Sequence, residues 1–367
     1  MLTSMGPWRR PRGGAQGGIS TKAWVLHGVG DIRFEETAEP RPADNEVLVA
    51  VKAAGICGSD IPRIYETGAH VHPLIPGHEF SGMVEKTGAA VDRKWEGKRV
   101  GVFPLVPCGE CMPCRRRQYE MCRCYGYLGS RRNGGFAEYA AVPTWNLIEL
   151  PEDVSFEEAA MLEPMAVAVH AMRRVRLCRG NTVVVYGLGT IGMLLVMFLL
   201  DAGIRNILTV GNKAYQREFV FRLGLDRRAY CDGGDQDVVS RIREFTGGEG
   251  ADVVFECVGR NEVFARALML AAPGGQVCLV GNPYSEISLD KDTYWKILRN
   301  QLVVTGTWNS SFTHEPDDDW HYVLDRLWRK RVLPDRIVTH RLPMEDLGHG
   351  LRIMRDKTQD YIKIMMM

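Results

Sequence analysis

The feature that most constrains the fold is an apolar strand that leads directly into a glycine-rich turn. Residues 183–186 are Val-Val-Val-Tyr, and residues 191–200 have the composition of a buried helix. Between them the pattern G-x-G-x-x-G is formed by Gly187, Leu188, Gly189, Thr190, Ile191 and Gly192. In this context the glycines allow a tight turn and close approach of a pyrophosphate, which the helix N-terminus attracts. A plain glycine turn is the alternative, but the flanking strand and helix favour a dinucleotide site.

The same alternation of strand and helix continues along the C-terminal half. Apolar strands are predicted at 183–186, 207–210, 253–256, 277–280 and 302–305. This pattern predicts a doubly wound parallel sheet. Ligands of such sheets bind beyond the carboxyl ends of the strands, where we expect Cys257, Val280 and Trp308 to contact the cofactor. Cys257 as a small core residue and Trp308 as a core tryptophan at the domain junction are the alternatives.

The end of the second strand predicts which cofactor binds. An acidic residue about 20 positions after the glycine motif would bind the ribose 2′-hydroxyl of NAD. This chain has Gly211 there, followed by Asn212, Lys213 and, one turn on, Arg217. An Asp would repel a 2′-phosphate, whereas a glycine leaves room and a cation can pair with it. We therefore predict that NADP is preferred over NAD. The alternative is that Lys213 is a solvated loop lysine.

The N-terminal half has a different pattern, with short strands separated by Gly and Pro. Strands are predicted at 47–51, 82–86, 99–103 and 136–140, and a helical period follows Ser155, whose cap is supported by Glu158. We predict an α/β protein with four segments. These are a leader (1–20), a β-rich domain (21–175), a dinucleotide-binding domain (176–310) and a return to the β-rich domain (311–367).

Composition excludes some classes of function. The 367 residues include 46 Lys or Arg and 45 Asp or Glu, a net charge of +1. So small a charge recruits neither nucleic acid nor an anionic membrane, and no apolar run reaches the ~18 residues of a membrane span. The first twenty residues are rich in Arg and Gly and lack the apolar core of a secretory signal. We predict a disordered leader or tag there, and a protein of the cytoplasm.

Four of the ten cysteines form a compact motif. Cys108, Cys111, Cys114 and Cys122 follow C-x2-C-x2-C-x7-C, and four thiolates can enclose a structural zinc ion. A ferredoxin-type cluster requires a fourth cysteine three residues after the third, followed by Pro. Zinc-ribbon modules that bind nucleic acid use related spacing, but the surrounding chain is not basic. Buried free thiols would not cluster in this way, so the motif favours a structural zinc.

The candidate catalytic residues are dispersed. Cys57 follows a predicted strand, His78 lies about twenty residues on, and Glu163 interrupts an apolar helix. Taken singly, they can be a core cysteine, a turn histidine and a buried ion-pair partner. Together the motifs G-x-C-G-S-D, G-H-E-F-S-G, the four cysteines, G-G-F-A-E-Y, L-E-P and G-x-G-x-x-G resemble, in this order, the zinc-containing medium-chain dehydrogenase family. The resemblance extends from Thr21 to the end of the chain, and stretches 57–64, 68–70 and 129–136 are most similar to the polyol dehydrogenase branch.

The resemblance implies a GroES-like fold for the β-rich domain and a Rossmann fold for the other. It implies that Cys57, His78 and Glu163 bind a catalytic zinc, with Glu79 behind them or acting as a fourth ligand at rest. A hydride would move between an alcohol carbon and the nicotinamide, while Ser59 relays the hydroxyl proton towards solvent. Many relatives carry a His five residues after the ligand Cys, where this chain has Pro62, so its proton exit differs.

The expected substrate is a small polyol phosphate. Arg63 lies near the catalytic loop and Arg131 lies on a loop that the family keeps near the cleft, and arginine forks suit phosphate. Surface arginines or structural ion pairs are the alternative. Trp308 is a further candidate for contact with substrate. Relatives are commonly dimers or tetramers, so we expect a homodimer or homotetramer.

Three other functions compete with this hypothesis. One is a dehydrogenase of an unphosphorylated polyol, secondary alcohol or amino alcohol. Another is a zinc-free quinone or enone reductase of the same fold, and the last is an NADP-binding sensor without catalysis. The set Cys57, His78 and Glu163 argues against the last two, since neither requires a zinc ion with an open position.

Overall fold

The computed structural model describes residues 20–234 and 237–367. The predicted leader lies outside these residues except for Ser20, which opens the first strand. The strands are β1 (Ser20–Gly28), β2 (Asp31–Ala38), β3 (Glu46–Gly55), β4 (Glu79–Thr87), β5 (Arg99–Val102), β6 (Leu105–Val106), β7 (Gly126–Tyr127), β8 (Tyr139–Pro143), β9 (Leu147–Glu149), β10 (Thr182–Tyr186), β11 (Asn206–Gly211), β12 (Tyr230–Asp232), β13 (Ala251–Glu256), β14 (Ala271–Leu279), β15 (Val303–Gly306), β16 (Val338–Leu342) and β17 (Lys363–Met366).

The helices are α1 (Asp60–Tyr65), α2 (Met112–Arg115), α3 (Phe156–Ala160), α4 (Leu162–Arg173), α5 (Thr190–Asp201), α6 (Ala214–Arg222), α7 (Val238–Phe245), α8 (Asn261–Leu270), α9 (Lys291–Arg299), α10 (Asp319–Trp328) and α11 (Leu347–Asp356). No helix in the described ranges is long and apolar enough to cross a membrane.

The chain divides into two compact units. The first extends up to Glu163 and includes His340–Met367, and the second is Pro164–Thr339. This division assigns 164–175 and 311–339 to the second unit, whereas the sequence-based boundaries assigned both segments to the β-rich domain. Asp319 accounts for part of the difference, because its buried carboxylate binds His170 and Arg173 of α4 and so ties α10 to that helix.

The first unit is built on a seven-stranded sheet in the order β16-β17-β3-β4-β5-β9, with β8 also paired to β3. The pairings of β3 with β4, β8 and β17 are antiparallel. Its core is formed by alternating apolar residues such as Val47, Val49, Phe80 and Ile364, all buried. The predicted β-rich domain is thereby confirmed.

The second unit contains a six-stranded parallel sheet in the order β12-β11-β10-β13-β14-β15. Counted within this unit, the order is 3-2-1-4-5-6, the arrangement of Rossmann folds. The predicted doubly wound sheet is confirmed. Strand β12 was not predicted, because its three residues are too short to show a period. Its Cys231 packs in the same core as Val184 and Val210.

The helix predicted after Ser155 begins as expected but is interrupted. Ser155 accepts a hydrogen bond from the Glu158 amide at 3.1 Å, and the Glu158 carboxylate accepts one from the Ser155 amide at 2.8 Å, which confirms the capping box. The helix stops at Met161, and a second helix starts at Leu162. Pro164 explains the break, because it has no amide hydrogen and is tolerated only in a first helical turn.

Candidate active site

Strand pairing brings three candidate metal ligands together in the first unit. Gly55, at the end of β3, lies opposite Glu79, at the start of β4. Cys57 follows the first strand by two residues and His78 precedes the second by one, so the two side chains meet. One ligand atom each from Cys57, His78 and Glu79 lies within 4.8 Å of the others.

Asp60 lies behind these ligands and was missed by the sequence analysis. Its fully buried carboxylate accepts a hydrogen bond from the Cys57 amide at 3.0 Å and pairs with Arg63. It also lies 3.4 Å from Nδ1 of His78, a contact that is too poorly aligned to count as a hydrogen bond. Burial acts to raise the pKa of Asp60, but His78 and Arg63 hold it below its ordinary value. Burial likewise acts to lower the pKa of His78, yet Asp60 and Cys57 raise it well above normal.

Glu163 lies near this group but is held by another residue. Its carboxylate accepts a hydrogen bond from the Tyr127 hydroxyl at 3.3 Å, and it does not belong to the group of three within 4.8 Å. Burial, aided by the charge of Glu79, raises the pKa of Glu163 to about 7. The Tyr127 ring lies 5.7 Å from the His78 ring. Tyr127 is therefore a second residue of the site that spacing in the sequence did not indicate.

Glu79 has a buried counter-ion at the far end of the chain. Lys363, on β17, pairs with the Glu79 carboxylate and donates a hydrogen bond to the Ile56 carbonyl at 2.9 Å. Gly55 makes room for this pair, since a Cβ there would lie 2.3 Å from Oε2 of Glu79. In the sequence, this buried ion pair is indicated by a lone lysine inside the otherwise apolar stretch 362–366.

The donor atoms fit a catalytic zinc. A thiol, an imidazole and carboxylates are the ligands that zinc takes in such sites. Nδ1 of His78 is buried without a hydrogen-bond partner and lies 3.4 Å from the Asp60 carboxylate. In carboxylate–histidine–zinc arrangements the other ring nitrogen binds the ion. Cys57, His78 and Glu163 would hold the ion, with Glu79 beside them.

The four clustered cysteines fit a structural zinc. Sγ of Cys111 lies 3.5 Å from that of Cys114 and 3.8 Å from that of Cys122, and Sγ of Cys108 lies 4.0 Å from that of Cys114. Zinc–sulfur bonds of about 2.3 Å in a tetrahedron place sulfurs roughly 3.8 Å apart. Amide groups of Arg123 and Cys114 lower the pKa of the Cys111 thiol to about 6, which favours the thiolate that binds metal.

The glycine motif of the second unit adopts the geometry of a phosphate loop. Gly187 has φ +101°, and a Cβ at Gly192 would lie 1.9 Å from the carbonyl oxygen of Gly187. Both positions therefore require glycine. A Cβ at Gly189 would meet nothing within 4 Å, so this position faces open space directly before α5. With Leu188 buried and Thr190 and Ile191 in the first turn of α5, the N-terminus of this helix can receive a pyrophosphate.

The space predicted beside Gly211 is filled. A Cβ at this position would lie 2.8 Å from Oε1 of Gln216, which accepts a hydrogen bond from the Asn212 amide, and 3.2 Å from the Tyr230 ring. The physical reason offered for glycine was therefore wrong, because a tertiary neighbour occupies the volume. Lys213 caps the start of α6 and is exposed. Arg217 lines, with Tyr230, a groove of about 490 Å³.

The remaining cofactor candidates lie beyond the carboxyl ends of neighbouring strands. Cys257 and Val280 follow β13 and β14, and the Cys257 amide donates to the Tyr186 carbonyl at 2.8 Å. Burial raises the pKa of the Cys257 thiol well above its ordinary value. Trp308 follows β15 and is 52% exposed, so it is not a core tryptophan of this unit.

The structure places the substrate candidates Ser59, Arg63 and Arg131 in different surroundings. The Ser59 hydroxyl donates to Sγ of Cys57 at 3.3 Å, within reach of the ligand group. Arg63 is engaged by the buried Asp60, as the structural ion-pair alternative predicts. Arg131 is exposed and stacks its guanidinium on Tyr125, 4.6 Å from the ring centre.

Comparisons with known proteins agree with this geometry. Residues 43–152 match the family model of the alcohol dehydrogenase GroES-like domain, and residues 190–329 match that of the zinc-binding dehydrogenases. The chain is 31% identical over 325 residues to galactitol 1-phosphate 5-dehydrogenase of Escherichia coli, which covers 88% of this chain and 93% of that protein. It is also 31% identical over 328 residues to L-threonine 3-dehydrogenase of Bacillus velezensis, covering 88% of this chain and 92% of that protein.

Two crystal structures share the fold at a TM-score of 0.87. Galactitol-1-phosphate dehydrogenase from Escherichia coli is 29% identical, with 94% of this chain and 99% of that chain covered. A zinc-binding dehydrogenase from Sinorhizobium meliloti, bound to NADP, is 27% identical, with 95% and 99% covered. The chain belongs to the zinc-containing medium-chain dehydrogenase family. It is an alcohol or polyol dehydrogenase that uses zinc and a nicotinamide cofactor.

Proposed function

We propose that this enzyme transfers a hydride between a polyol phosphate of the galactitol 1-phosphate type and NADP. The observation that carries the proposal is the convergence of Cys57, His78 and Glu79, with Ser59 and Glu163 beside them, on one buried point of the first unit. The similarity to galactitol 1-phosphate 5-dehydrogenase supports the substrate class.

The residues of this site hold the reacting groups. Zinc supplies a Lewis acid that lowers the pKa of the substrate hydroxyl, and the nicotinamide accepts the hydride. The Ser59 hydroxyl, 3.3 Å from Sγ of Cys57, takes the hydroxyl proton and passes it to solvent. The Asp60 carboxylate places a negative charge 3.4 Å from Nδ1 of His78, and the Tyr127 hydroxyl orients Glu163. Pro62 cannot carry a proton, so the relay passes from Ser59 to solvent without a side chain at position 62.

The preference for NADP is supported by charge at the end of β11. The chain has no acidic residue at 211–213, and Lys213 and Arg217 supply two cations within one turn of α6. Arg217 is partly engaged by Glu218 at 3.5 Å, so Lys213 is the stronger partner for a 2′-phosphate. The NADP in the related Sinorhizobium structure is consistent with this preference.

A homodimer is favoured by the edge of the second unit's sheet. Strand β15 pairs only with β14 along the described sheet, and its residues Val303 and Val304 are 54% and 38% exposed. An uncovered apolar edge strand is a template for pairing with a second chain. A second copy that adds its own β15 would satisfy the free backbone groups and cover both valines. Among the described residues no disulfide joins two cysteines, which agrees with the reducing cytoplasm that we propose.

A second candidate is a dehydrogenase of an unphosphorylated alcohol. The similarity to L-threonine 3-dehydrogenase, as extensive as that to the polyol-phosphate enzyme, favours it. A zinc-free quinone or enone reductase would have no use for the ligand group at Cys57, His78 and Glu79.

The test follows reduction of NADP and of NAD at 340 nm. Galactitol 1-phosphate is compared with galactitol, sorbitol, L-threonine and simple secondary alcohols. We expect the largest kcat/KM with galactitol 1-phosphate and NADP. Equal or larger values with an unphosphorylated alcohol would refute the phosphate assignment and support the second candidate.

A further inference from the structure

Arg131 carries a charge that the described part of the chain does not neutralise. Its guanidinium stacks on Tyr125 at 4.6 Å, which leaves the planar edge of N–H donors exposed. Among the described residues, no carboxylate forms an ion pair with it. Its neighbours differ, since Arg132 pairs with Glu46 and Arg63 with Asp60. Of these three arginines, Arg131 is therefore the one whose guanidinium is available to bind an anion from outside the protein.

Two loops run side by side and hold this arginine in place. The Ile75 amide donates to the Asn133 side chain at 3.0 Å, and the Gly134 amide donates to the Ile75 carbonyl at 2.8 Å. A Cβ at Gly134 would lie 2.0 Å from the carbonyl oxygen of Gly77, so the backbones are in direct contact. The loop that carries Arg131 is thus fixed against the loop that follows α1.

His70 lies on the loop that follows α1, and the charge of Arg131 affects its pKa. Its side chain is exposed, but partial burial lowers its pKa, and the charges of Arg131 and Arg63 lower it further. These are the charged groups that act on His70. The fields of both guanidinium groups therefore reach the imidazole, although the three side chains come from separate segments of the chain.

Aromatic contacts connect this cluster to the metal ligands. The ring of Tyr125 lies 6.1 Å from that of Tyr127, which in turn lies 5.7 Å from the ring of His78 and donates to Glu163. An anion bound at Arg131 is two aromatic rings away from the ligand group. The pair Tyr125 and Tyr127 thus links the surroundings of Arg131 to those of the candidate zinc ligands.

We propose that Arg131 and His70 form a binding site for a phosphate dianion, the one carried by the substrate, with Tyr125 as the support. The proposal rests on the proposed function for the identity of the substrate and adds His70 to its recognition. Arg131 contributes two parallel N–H donors. His70 contributes a donor in its protonated form, while Arg63 stays on Asp60 and contributes only its field.

The first experiment compares R131Q and H70Q in the zinc-loaded enzyme. We expect KM for galactitol 1-phosphate to rise about tenfold to hundredfold in R131Q, as for loss of a charged hydrogen bond, and about tenfold in H70Q. The ratio of kcat/KM for galactitol 1-phosphate to that for unphosphorylated galactitol should fall by a similar factor in both. Matched controls are R116Q and H349Q, two exposed residues of the same unit, which should leave both substrates unaffected. Unchanged KM for the phosphate ester in R131Q and H70Q would overturn the proposal.

The second experiment separates the titration of His70 from the titration of the phosphate group of the ligand. A phosphate ester gains its second charge near pH 6, so inorganic sulfate, a dianion from pH 5 to 9, is used as a competitive inhibitor. Because the pKa of His70 is lowered in the free protein and a bound dianion raises it, sulfate binding takes up a proton. Inhibition should weaken as the pH rises through the pKa of His70 in the complex. It should be independent of pH in H70Q, and the same slope in H70Q and wild type would contradict the assignment.

The proposed function and the proposed anion site would be refuted by different results. If the wild-type enzyme prefers unphosphorylated alcohols, the proposed function is wrong. The anion site is then judged by the ring proton signals of His70, which sulfate should shift in wild type but not in R131Q. If the enzyme prefers the phosphate ester but sulfate leaves His70 unshifted, the function stands and this inference is overturned.

Discussion

Lys363 and Glu79 form an ion pair in which both side chains are only 1% exposed, although 284 residues separate them in the sequence. The pair lies beside Cys57 and His78, so the charge of Lys363 balances a carboxylate next to the candidate zinc ligands. While Lys363 holds Glu79, that carboxylate is directed to the lysine. A metal ion held by Cys57, His78 and Glu163 would then keep an open position for substrate.

Removal of Lys363 should therefore cost both stability and activity. In K363M, Glu79 is a buried charge without its partner, which typically destabilises a protein by about 3–5 kcal/mol. The freed carboxylate is also expected to bind the metal and compete with substrate. We expect a lower midpoint in urea unfolding and, in the cobalt-substituted enzyme, a changed visible spectrum.

Two variants serve as controls for this prediction. K98M removes an exposed partner of Glu149 and should cost less than about 1 kcal/mol. The double variant K363M/E79Q removes the unpaired charge and should recover part of the lost stability. A K363M enzyme as stable as K98M would show that the pair contributes nothing.

The Tyr127 hydroxyl should matter for the metal rather than for the fold. Y127F removes the hydrogen bond that holds Glu163, and loss of such an outer contact typically weakens metal binding by about 10–100-fold. The measurement is a competition for zinc with a chromophoric chelator. Y125F, which keeps the ring under Arg131, is the matched control and should bind zinc as the wild type does. Equal zinc affinities in Y127F and Y125F would argue against a positioning role.

The structural zinc can be separated from the catalytic one by cysteine substitution. C111S removes one of four sulfurs that lie 3.5–4.0 Å apart, so one of two zinc ions per chain should be lost, along with thermal stability. C124S changes an exposed cysteine outside the group and should retain both ions. Zinc content by atomic emission decides the question. Two ions per chain in C111S would contradict the assignment of a four-cysteine site.

The sequence predicts those features whose residues are close along the chain. The glycine turn before α5 and the four cysteines are each contained in a short segment, and their spacing carries the geometry. Lys363 and Tyr127 could not be found in this way, because strand pairing and loop packing bring them to the site. The filled space at Gly211 has the same origin, since Gln216 of the next helix enters it. Spacing in the sequence identifies the candidate zinc ligands. The charged groups around these ligands are brought in by contacts between residues that are far apart in the chain.

Lys213 should account for most of the preference for NADP. K213E replaces the proposed partner of the 2′-phosphate by a repelling charge, and we expect the ratio of kcat/KM for NADP to that for NAD to fall about 100-fold. R217E should lower the ratio less, since Glu218 already engages Arg217. R222E, an exposed arginine at the end of the same helix, is the control. An unchanged ratio in K213E would mean that Lys213 is a solvated loop lysine that does not contact the 2′-phosphate.

The free edge of β15 should set the oligomeric state. A lysine at Val303 introduces a charge into the proposed strand pairing, which natural edge strands use to prevent association. We expect V303K to shift the enzyme from dimer to monomer in sedimentation velocity at micromolar concentration. F245K changes a similarly exposed apolar residue at the end of α7 and should leave the dimer intact. A wild-type enzyme that sediments as a monomer would refute the edge pairing. A V303K dimer would mean that a different surface joins the two copies.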